Sequence, residues 1–216
     1  MTVPAQHEHE SVKEVPPPKT YVHYAGRWLI RPLVNTPVTP NHLTTLRLLT
    51  GIAAAVAFAM GDYFWTVWGG ALYAVSALLD RADGELARLS GKMSRWGHWY
   101  DLYCDSIVNV VLFVGIGIGL TEGVLGHWAW KMGVLSGLSI AITFWIVFRL
   151  HESGNHPSEA FNYPDGFDLD DALFLVCIFA WFDGLLPLLI AASICAPLFL
   201  IFAVWQYYTL NASTRA

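Results

Sequence analysis

Four aspartates between residues 80 and 105 have the type and spacing of a cation-binding cluster. Asp80 and Asp83 are three residues apart and Asp101 and Asp105 are four apart, so on helices each pair shares one face. Two antiparallel helices can therefore present two pairs of carboxylates to each other. Such a set requires neutralising cations, because an unpaired charge held away from water costs several kcal/mol. Carboxylate oxygens favour hard divalent ions such as Mg²⁺, Mn²⁺ or Ca²⁺ over zinc.

Small residues and one arginine accompany the aspartates. Gly84, Ala87 and Gly97 lie on or beside the same helical stripes and remove side-chain bulk, so that a nucleotide or pyrophosphate can approach the backbone. Arg88 can bind a phosphate group. Two divalent ions with open positions for phosphate oxygens form an arrangement suited to phosphoryl transfer. The pattern therefore favours an enzyme that acts on a phosphate or pyrophosphate bond.

Two other functions use the same residues. In the first, the aspartates form an interfacial salt-bridge cluster with nearby basic residues, and in the second, intramembrane carboxylates line the cation pathway of a transporter. The salt-bridge alternative accounts for any single aspartate, but it explains the regular spacing and the adjacent small residues less well. The transporter alternative gives the arginine and the small residues no role. The basic residues of the first alternative are Arg81, Arg88, Lys92 and Arg95.

The elements that carry these residues are predicted to be membrane helices. Hydrophobic residues make up 55% of the 216-residue chain and charged residues only 13%, about half the charged fraction of a soluble domain. We therefore predict an all-α membrane protein with six transmembrane helices, preceded by an amphipathic juxtamembrane helix at residues 20–35. The second helix continues as a polar extension to about residue 90. The predicted spans are residues 41–60, 63–80, 95–120, 128–150, 168–184 and 186–208.

Lysines and arginines predict the orientation in the membrane. If the N-terminus is cytoplasmic, eleven of these residues face the cytoplasm and only Lys131 faces the other side. This bias predicts a multi-pass protein of the cell (inner) membrane with the aspartates and both termini on the cytoplasmic side. Residues 1–19 are polar and proline-rich and are predicted to be a disordered tail. The membrane domain is predicted at residues 20–210, followed by a short C-terminal tail at 211–216.

Two glycine motifs predict close helix packing. They are GxGxG at Gly115–Gly119 and GxxxG at Gly133–Gly137. Small residues let helix backbones approach each other in membranes, and packing within one chain is the favoured interpretation. The alternative is a dimer seam, and a homodimer is kept among the predicted partners.

The aspartate pattern resembles the signature of a known family. The residues Asp80-x-x-Asp83-Gly84-x-x-Ala87-Arg88, followed after eight residues by Gly97-x-x-x-Asp101-x-x-x-Asp105, match the CDP-alcohol phosphotransferase signature at all eight fixed positions. The stretch TPNHLTTLR at residues 39–47 is similar to the opening of that family's first span, and the resemblance covers roughly residues 20–210. It implies a membrane enzyme of phospholipid synthesis, in which an alcohol hydroxyl attacks the pyrophosphate of a CDP-linked substrate and CMP leaves.

The resemblance also implies roles for individual residues. Asp80, Asp83 and Asp101 would bind two divalent cations, Mg²⁺ or Mn²⁺, and Asp105 would bind one of them while acting as the general base on the alcohol. The implied partners are the lipid bilayer, the CDP-linked substrate and the alcohol acceptor, and no nucleic acid is among them. The positions implied to hold the CDP moiety are Asn41, Thr44, Gly84, Arg88 and Ser94, with the small residues Ala87 and Gly97 beside them.

The signature does not identify the substrates. CDP-diacylglycerol is the favoured donor, and the alternative is transfer of a soluble CDP-linked head group, such as a CDP-amino alcohol, to a lipid alcohol. The loop at residues 151–171 is acidic and contains no lysine or arginine, which favours a neutral or positively charged acceptor. Aromatic residues of this region can form a cation cage, although an acidic connector in solvent is the favoured interpretation. These residues are Phe161, Tyr163, Phe167 and Trp181.

An inactive family member is the remaining alternative, and the complete set of aspartates argues against it. Four histidines lie in or near the same elements without the spacing of metal ligands. Each is predicted to be a surface or interface polar residue rather than a ligand. They are His98, His127, His151 and His156.

Overall fold

The computed structural model describes residues 30–92, 94–152 and 174–213, which form helices and turns. The predicted N-terminal tail, most of the predicted surface helix and the greater part of the acidic loop, with three of its aromatic residues, lie outside the described residues. A 3₁₀ turn at Arg31–Leu33 precedes six helices. These are α1 (Pro40–Ala59), α2 (Tyr63–Ser90), α3 (Arg95–Gly119), α4 (Trp128–Glu152), α5 (Leu175–Trp181) and α6 (Leu185–Ser213).

Four of the six helices are long and apolar enough to cross a membrane, namely α1, α3, α4 and α6. Helix α2 has 28 residues but is charged in its second half, and α5 is described over seven residues. Helices α1, α3 and α4 begin and end within two residues of the predicted bounds, α6 continues five residues beyond its predicted end to Ser213, and the polar extension of α2 reaches Ser90 as predicted. The prediction of an all-α membrane protein is confirmed, whereas the number of six spans stays a prediction.

Helix α1 forms the floor of a cleft between α2 and α3. It packs along both of these helices, while α2 and α3 face each other across it. At Gly51 the three helices are in close contact, since a methyl group on that residue would lie 2.7 Å from Val108 of α3 and 3.2 Å from the Ser76 hydroxyl of α2. The cleft is therefore closed below this level and widens towards the charged ends of α2 and α3.

The turn between α2 and α3 fixes the charged ends of both helices. Gly91 caps the C-terminus of α2, and its φ of 66° is a left-handed conformation that suits glycine. Helix α3 begins after Ser94, whose hydroxyl oxygen accepts a hydrogen bond of 2.9 Å from the Gly97 N–H. As a result, the aspartates of α2 and the first turns of α3 lie at the same end of the molecule.

A small apolar cluster supports the polar extension of α2. Without such contacts, a helix of this polarity would gain little from burial. The cluster joins α2 to α1 and to the segment before it, so the extension is held against α1 along its length. Its buried members are Ile30, Leu43, Leu79, Ala82 and Leu86.

The two glycine motifs pack helices within the chain, as the favoured interpretation predicted. A methyl group on Gly115 would overlap the carbonyl group of Ala55 in α1, and one on Gly133 of α4 would overlap the carbonyl group of Phe113. Gly137 meets the α3 backbone in the same way. Close backbone approach at these positions places α3 between α1 and α4.

Helix α5 is tied to the start of α2. The Tyr63 hydroxyl donates a hydrogen bond of 2.9 Å to the Trp181 carbonyl, and the Trp181 indole N–H donates one of 3.2 Å to the Val67 carbonyl. These contacts place the end of α5 at the end of the molecule opposite the aspartates. Helix α6 packs mainly on α4.

Candidate active site

Three of the four predicted aspartates converge in the cleft. Asp80 of α2 and both Asp101 and Asp105 of α3 each offer a carboxylate oxygen, and these oxygens lie within 4.8 Å of one another. The side chains are 26%, 38% and 36% exposed in that order, so an ion can reach them. An all-oxygen set of this size fits a hard divalent cation. We call these three residues the carboxylate cluster.

Asp83 stands apart from the carboxylate cluster. It is buried, and its Oδ2 accepts a hydrogen bond of 2.7 Å from the Thr44 hydroxyl of α1. Three residues along a helix turn the side chain by about 60° from that of Asp80, which is enough to direct it elsewhere in the cleft. The role of Asp83 as a further metal ligand therefore stays a prediction.

A buried arginine lies at the centre of the carboxylate cluster. The Nη1 atom of Arg47 is 3.1 Å from Asp101 Oδ1 and 3.0 Å from Asp105 Oδ1, and it also forms an ion pair with Asp80. Its Nη2 donates a hydrogen bond of 3.2 Å to the Asp101 carbonyl. Only 2% of this residue is exposed. The spacing of the aspartates does not predict a role for Arg47 in the site. Its signal in the sequence is that it follows Thr44 by three residues and so shares a face of α1 with it.

The basic residues of the salt-bridge alternative make other contacts. Arg81 reaches Asp80 only at 4.0 Å, and Arg88 lies 3.7 Å from Glu85. The Lys92 ammonium donates hydrogen bonds of 2.9 and 3.2 Å to the carbonyl groups of residues 36 and 38. The cluster is thus bridged by Arg47 of α1, a residue that the salt-bridge alternative did not include.

A cavity of about 650 Å³ opens beside the carboxylate cluster at the charged end of the cleft. Its volume lies within the usual range for small-molecule sites. Helices α1, α2 and α3 all contribute to it, and Asp83 and Asp101 are in its wall. All seven residues predicted to hold the CDP moiety line this cavity: Asn41, Thr44, Gly84, Ala87, Arg88, Ser94 and Gly97.

The two glycines of this cavity act differently. A methyl group on Gly84 would meet only the Arg88 guanidinium, at 3.5 Å, so this glycine keeps the cavity itself open. A methyl group on Gly97 would lie 2.9 Å from the Ser94 hydroxyl and 3.0 Å from Asn41 Oδ1. Gly97 therefore makes room for two polar side chains and not, as its place in the sequence pattern predicts, for the ligand directly.

His98 is an exposed residue that also lines the nucleotide-sized cavity. Its ring centre lies 4.7 Å from that of Phe148 in α4. The sequence predicts a surface or interface polar residue here, and the position beside Gly97 is the signal that it also lines the cavity. His127 is exposed at the opposite end of the molecule. The side chain of His151 and all of His156 lie outside the described residues.

A second, smaller cavity of about 50 Å³ lies on the other side of the carboxylate cluster. It is lined by Asp80, Asp105 and Arg47, together with Phe144 of α4 and Phe174 just before α5. None of the described residues that line it also lines the larger cavity. The carboxylate cluster thus divides between two spaces, with Asp101 facing the larger one and Asp105 the smaller one. The remaining lining residues are Tyr73, Ser76, Ala77, Arg81, Val108 and Asn109.

Comparison with known proteins gives one family match. A family model described as CDP-alcohol phosphatidyltransferase matches residues 37–210. The archaetidylinositol phosphate synthase of Pyrococcus horikoshii is 33% identical over 87 residues, which are 40% of this chain and 45% of that protein. A bifunctional IPC transferase and DIPP synthase of Aquifex aeolicus is 25% identical over 186 residues, which are 82% of this chain and 41% of that protein. The matched regions thus span less than half the length of these relatives.

Solved structures share the fold. The phosphatidylinositol phosphate synthase of Mycobacterium tuberculosis with CDP-DAG bound has a TM-score of 0.61 and 21% sequence identity, over 84% of this chain and 94% of that chain. The same enzyme in complex with manganese and citrate also gives a TM-score of 0.61, with 22% identity over 83% of this chain and 88% of that chain. At this identity the likeness establishes a common helical architecture.

Proposed function

Because the chain belongs to the CDP-alcohol phosphatidyltransferase family, we propose that it is a membrane enzyme that transfers a phosphatidyl group from CDP-diacylglycerol to an alcohol. CMP is the second product. The single observation that carries the proposal is that the seven residues expected to hold CDP line one cavity, directly beside three converging carboxylates.

The larger cavity binds the CDP part of the donor in this proposal. Its open wall at Gly84 allows close approach of the nucleotide, and the nearby Arg88 and Lys92 supply positive charge for the phosphates. Asn41 and Ser94, placed by the space at Gly97, offer polar groups to the base or the ribose. The pyrophosphate then lies at the end of the cavity formed by Asp101.

The carboxylate cluster holds two divalent cations, Mg²⁺ or Mn²⁺, in this proposal. Asp80, Asp101 and Asp105 offer the oxygen ligands that such ions prefer. In this proposal Asp83, which accepts a hydrogen bond from Thr44 in the same cleft, turns to complete the set when the ions bind. Bound there, the ions supply Lewis-acid stabilisation of negative charge on the phosphate oxygens. The protein residues keep the ligands on two helices at fixed positions.

Asp105 acts as the general base. It lines the smaller cavity, on the side of the cluster away from the CDP cavity, which is the position required for a group that meets a second substrate. Asp105 accepts the proton of the alcohol hydroxyl while the alcohol oxygen forms a bond to the phosphorus that carries diacylglycerol. The bond from that phosphorus to the bridging oxygen breaks, and CMP leaves with the electron pair.

Two classes of acceptor alcohol remain in the proposal. The loop at 151–171 contains no basic residue, which favours a neutral or positively charged alcohol. The buried Arg81 in the wall of the smaller cavity favours a phosphorylated alcohol. The name of the archaetidylinositol phosphate synthase among the relatives agrees with the second class. An assay of the reaction must therefore include both classes of acceptor alcohol.

The proposed topology has six crossings and a cytoplasmic site in the cell membrane. The end of α4 lies near the start of α3 through Phe148 and His98, whereas the end of α5 lies near the start of α2 through Trp181. The described parts of α4 and α5 thus end at opposite ends of the molecule. This supports a fifth crossing, and α2 supplies the second. The membrane domain is placed at residues 20–210, between the two tails.

An assay with purified protein tests the proposed reaction. The protein in lipid nanodiscs is incubated with CDP-diacylglycerol, Mn²⁺ or Mg²⁺, and a panel of neutral, cationic and phosphorylated alcohols. We expect metal-dependent CMP release and one new phospholipid by mass spectrometry, whose head group identifies the acceptor.

Parallel reactions separate the alternatives. CDP-amino alcohols with diacylglycerol test the reversed pair of substrates, and uptake of ⁵⁴Mn²⁺ into proteoliposomes tests a transporter. Metal uptake without CMP release from any donor would contradict the proposal.

A further inference from the structure

Arg47 is fixed at both its backbone and its guanidinium group. Its carbonyl oxygen accepts hydrogen bonds from the Ser76 hydroxyl of α2, at 3.0 Å, and from the Thr50 hydroxyl, at 2.9 Å. Its guanidinium crosses the cleft floor and reaches carboxylates of both α2 and α3. A buried side chain held at both ends has little freedom to move away from the carboxylate cluster.

The position of Arg47 has an electrostatic consequence for any cation that binds the cluster. One nitrogen of the guanidinium contacts all three carboxylates, so the protein supplies a positive charge at the place where the ligand oxygens meet. Opposite charges at this separation attract strongly in a partly buried site, and like charges repel equally. The arginine thus holds the carboxylates together and at the same time repels a divalent ion.

We infer that Arg47 is an internal counter-cation that competes with the divalent ion for Asp80, Asp101 and Asp105. It is a positioning residue that acts through the carboxylates, and the inference rests on the proposed metal site. Two effects follow from one charge. The arginine stabilises the fold when the cluster holds no metal, and it lowers the affinity of the cluster for metal.

The test compares wild type with Arg47→Met, which keeps a long apolar stem and removes the charge. Mn²⁺ affinity is measured by electron paramagnetic resonance, and thermal unfolding is measured in EDTA and in saturating Mn²⁺. We expect Arg47→Met to bind Mn²⁺ about tenfold more tightly or better, because a neighbouring positive charge has been removed. We also expect the difference in Tm between Mn²⁺ and EDTA to widen, since the carboxylates then repel one another without metal.

Two further variants separate charge from packing. Arg47→Lys keeps the charge and should restore Mn²⁺ affinity to near the wild-type value. Lys131→Met removes a cation that lies over the Trp128 ring in the first turn of α4, at the end of the molecule opposite the carboxylates. It should leave both Mn²⁺ affinity and the Tm difference unchanged. If Arg47→Met can be recovered folded only in Mn²⁺, that outcome is the expected widening in its extreme form.

Three outcomes would overturn the inference. In the first, Arg47→Met binds Mn²⁺ no more tightly than wild type. In the second, it loses the same Tm in EDTA and in Mn²⁺, or fails to fold in both, which indicates a purely structural role. In the third, wild type itself does not bind Mn²⁺ at the cluster, and the proposed metal site then fails together with the inference. The first two outcomes leave the proposed function intact.

Discussion

Asp101 and Asp105 are one helical turn apart, yet they face different spaces. Asp101 is in the wall of the larger cavity, where we propose that CDP binds, and Asp105 is in the wall of the smaller cavity with Phe144 and Phe174. Two carboxylates of the same type can therefore have different functions, one towards the donor and the other towards the acceptor. The difference arises from what surrounds each residue, not from its chemistry.

Replacing Asp105 by asparagine tests this division of function. Asp105→Asn should reduce CMP release about 100- to 10,000-fold, because the amide cannot accept the proton of the alcohol. Binding of CDP-diacylglycerol, measured by scintillation proximity with labelled lipid, should remain close to that of wild type. Asp62→Asn is the matched control, since Asp62 caps α2 far from the site and asparagine is an equally good cap. Near-normal turnover in Asp105→Asn would remove this residue from the role of base.

The two glycines of the CDP cavity give a second prediction. Gly84→Ala should raise KM for the donor without loss of Tm, because its methyl group meets only one flexible side chain and enters the cavity. Gly97→Ala should raise the same KM and also lower the free energy of unfolding by about 1 kcal/mol, because it displaces the Ser94 cap. Steady-state kinetics and thermal unfolding measure both effects. An unchanged KM in Gly84→Ala would place the nucleotide elsewhere.

Residues that share a helix face could be predicted from the sequence, and residues that meet across helices could not. The spacing of Gly84, Ala87 and Arg88 along α2 was sufficient to place them together in one wall. The place of Arg47 depends on α1 lying between α2 and α3, and periodicity within one helix carries no information about the helix opposite. The separation of Asp83 from the carboxylate cluster likewise depends on Thr44 of α1.

At the scale of elements, the glycines of α3 and α4 determine how closely the helices pack. Gly115 lies against the Ala55 carbonyl in the same α1–α3 interface that brings Arg47 to Asp101. A change in the spacing of these helices is therefore transmitted to the site through rigid backbone. The same α1–α3 interface therefore determines both the packing of the two helices and the position of Arg47 beside Asp101.

Gly115→Ala tests this coupling. The added methyl group would overlap a backbone carbonyl group that cannot rotate away, so the free energy of unfolding should fall by about 1–3 kcal/mol. Mn²⁺ affinity should change as well, because the displacement at Gly115 is transmitted along the α1–α3 interface to Arg47 and the carboxylates. Ala53→Val adds similar bulk on an exposed face of α1 and should alter neither quantity. A stable Gly115→Ala protein would contradict the close approach of the two helices.

The helix bounds were predictable because apolar runs of this length are dictated by the thickness of a membrane. Helices α1, α3 and α4 agree closely with the predicted spans. The short α5 was harder to define, because its described residues, Leu175–Trp181, follow the acidic loop without a clear polar boundary. Its packing on α2 through Trp181 has no signature in the sequence.

At the scale of the whole molecule, the carboxylates lie at one end and the turn between α3 and α4 at the other. Val124 in that turn is 93% exposed, and Arg95 at the start of α3 is exposed at the end that holds the site. The proposed orientation places Val124 outside the cytoplasm and Arg95 on the cytoplasmic side. The excess of basic residues at the site end is the basis of this orientation.

Labelling of single cysteines tests the orientation. In a Cys195→Ser background, which removes the one exposed cysteine among the described residues, Val124→Cys should react with a membrane-impermeant maleimide in intact cells. Arg95→Cys should react only after the cells are broken. The reverse pattern would invert the proposed topology and place the site on the outer side of the membrane.

The two cavities on either side of the carboxylate cluster also bear on the stereochemistry of the reaction. If, as proposed, donor and acceptor reach the carboxylate cluster from its two sides, the acceptor oxygen approaches the phosphorus opposite the departing CMP. A single in-line displacement of this kind inverts the configuration at phosphorus. A donor made chiral at that phosphorus with sulfur or oxygen isotopes would therefore yield a phospholipid of the opposite hand, whereas a covalent phosphatidyl-enzyme would retain it.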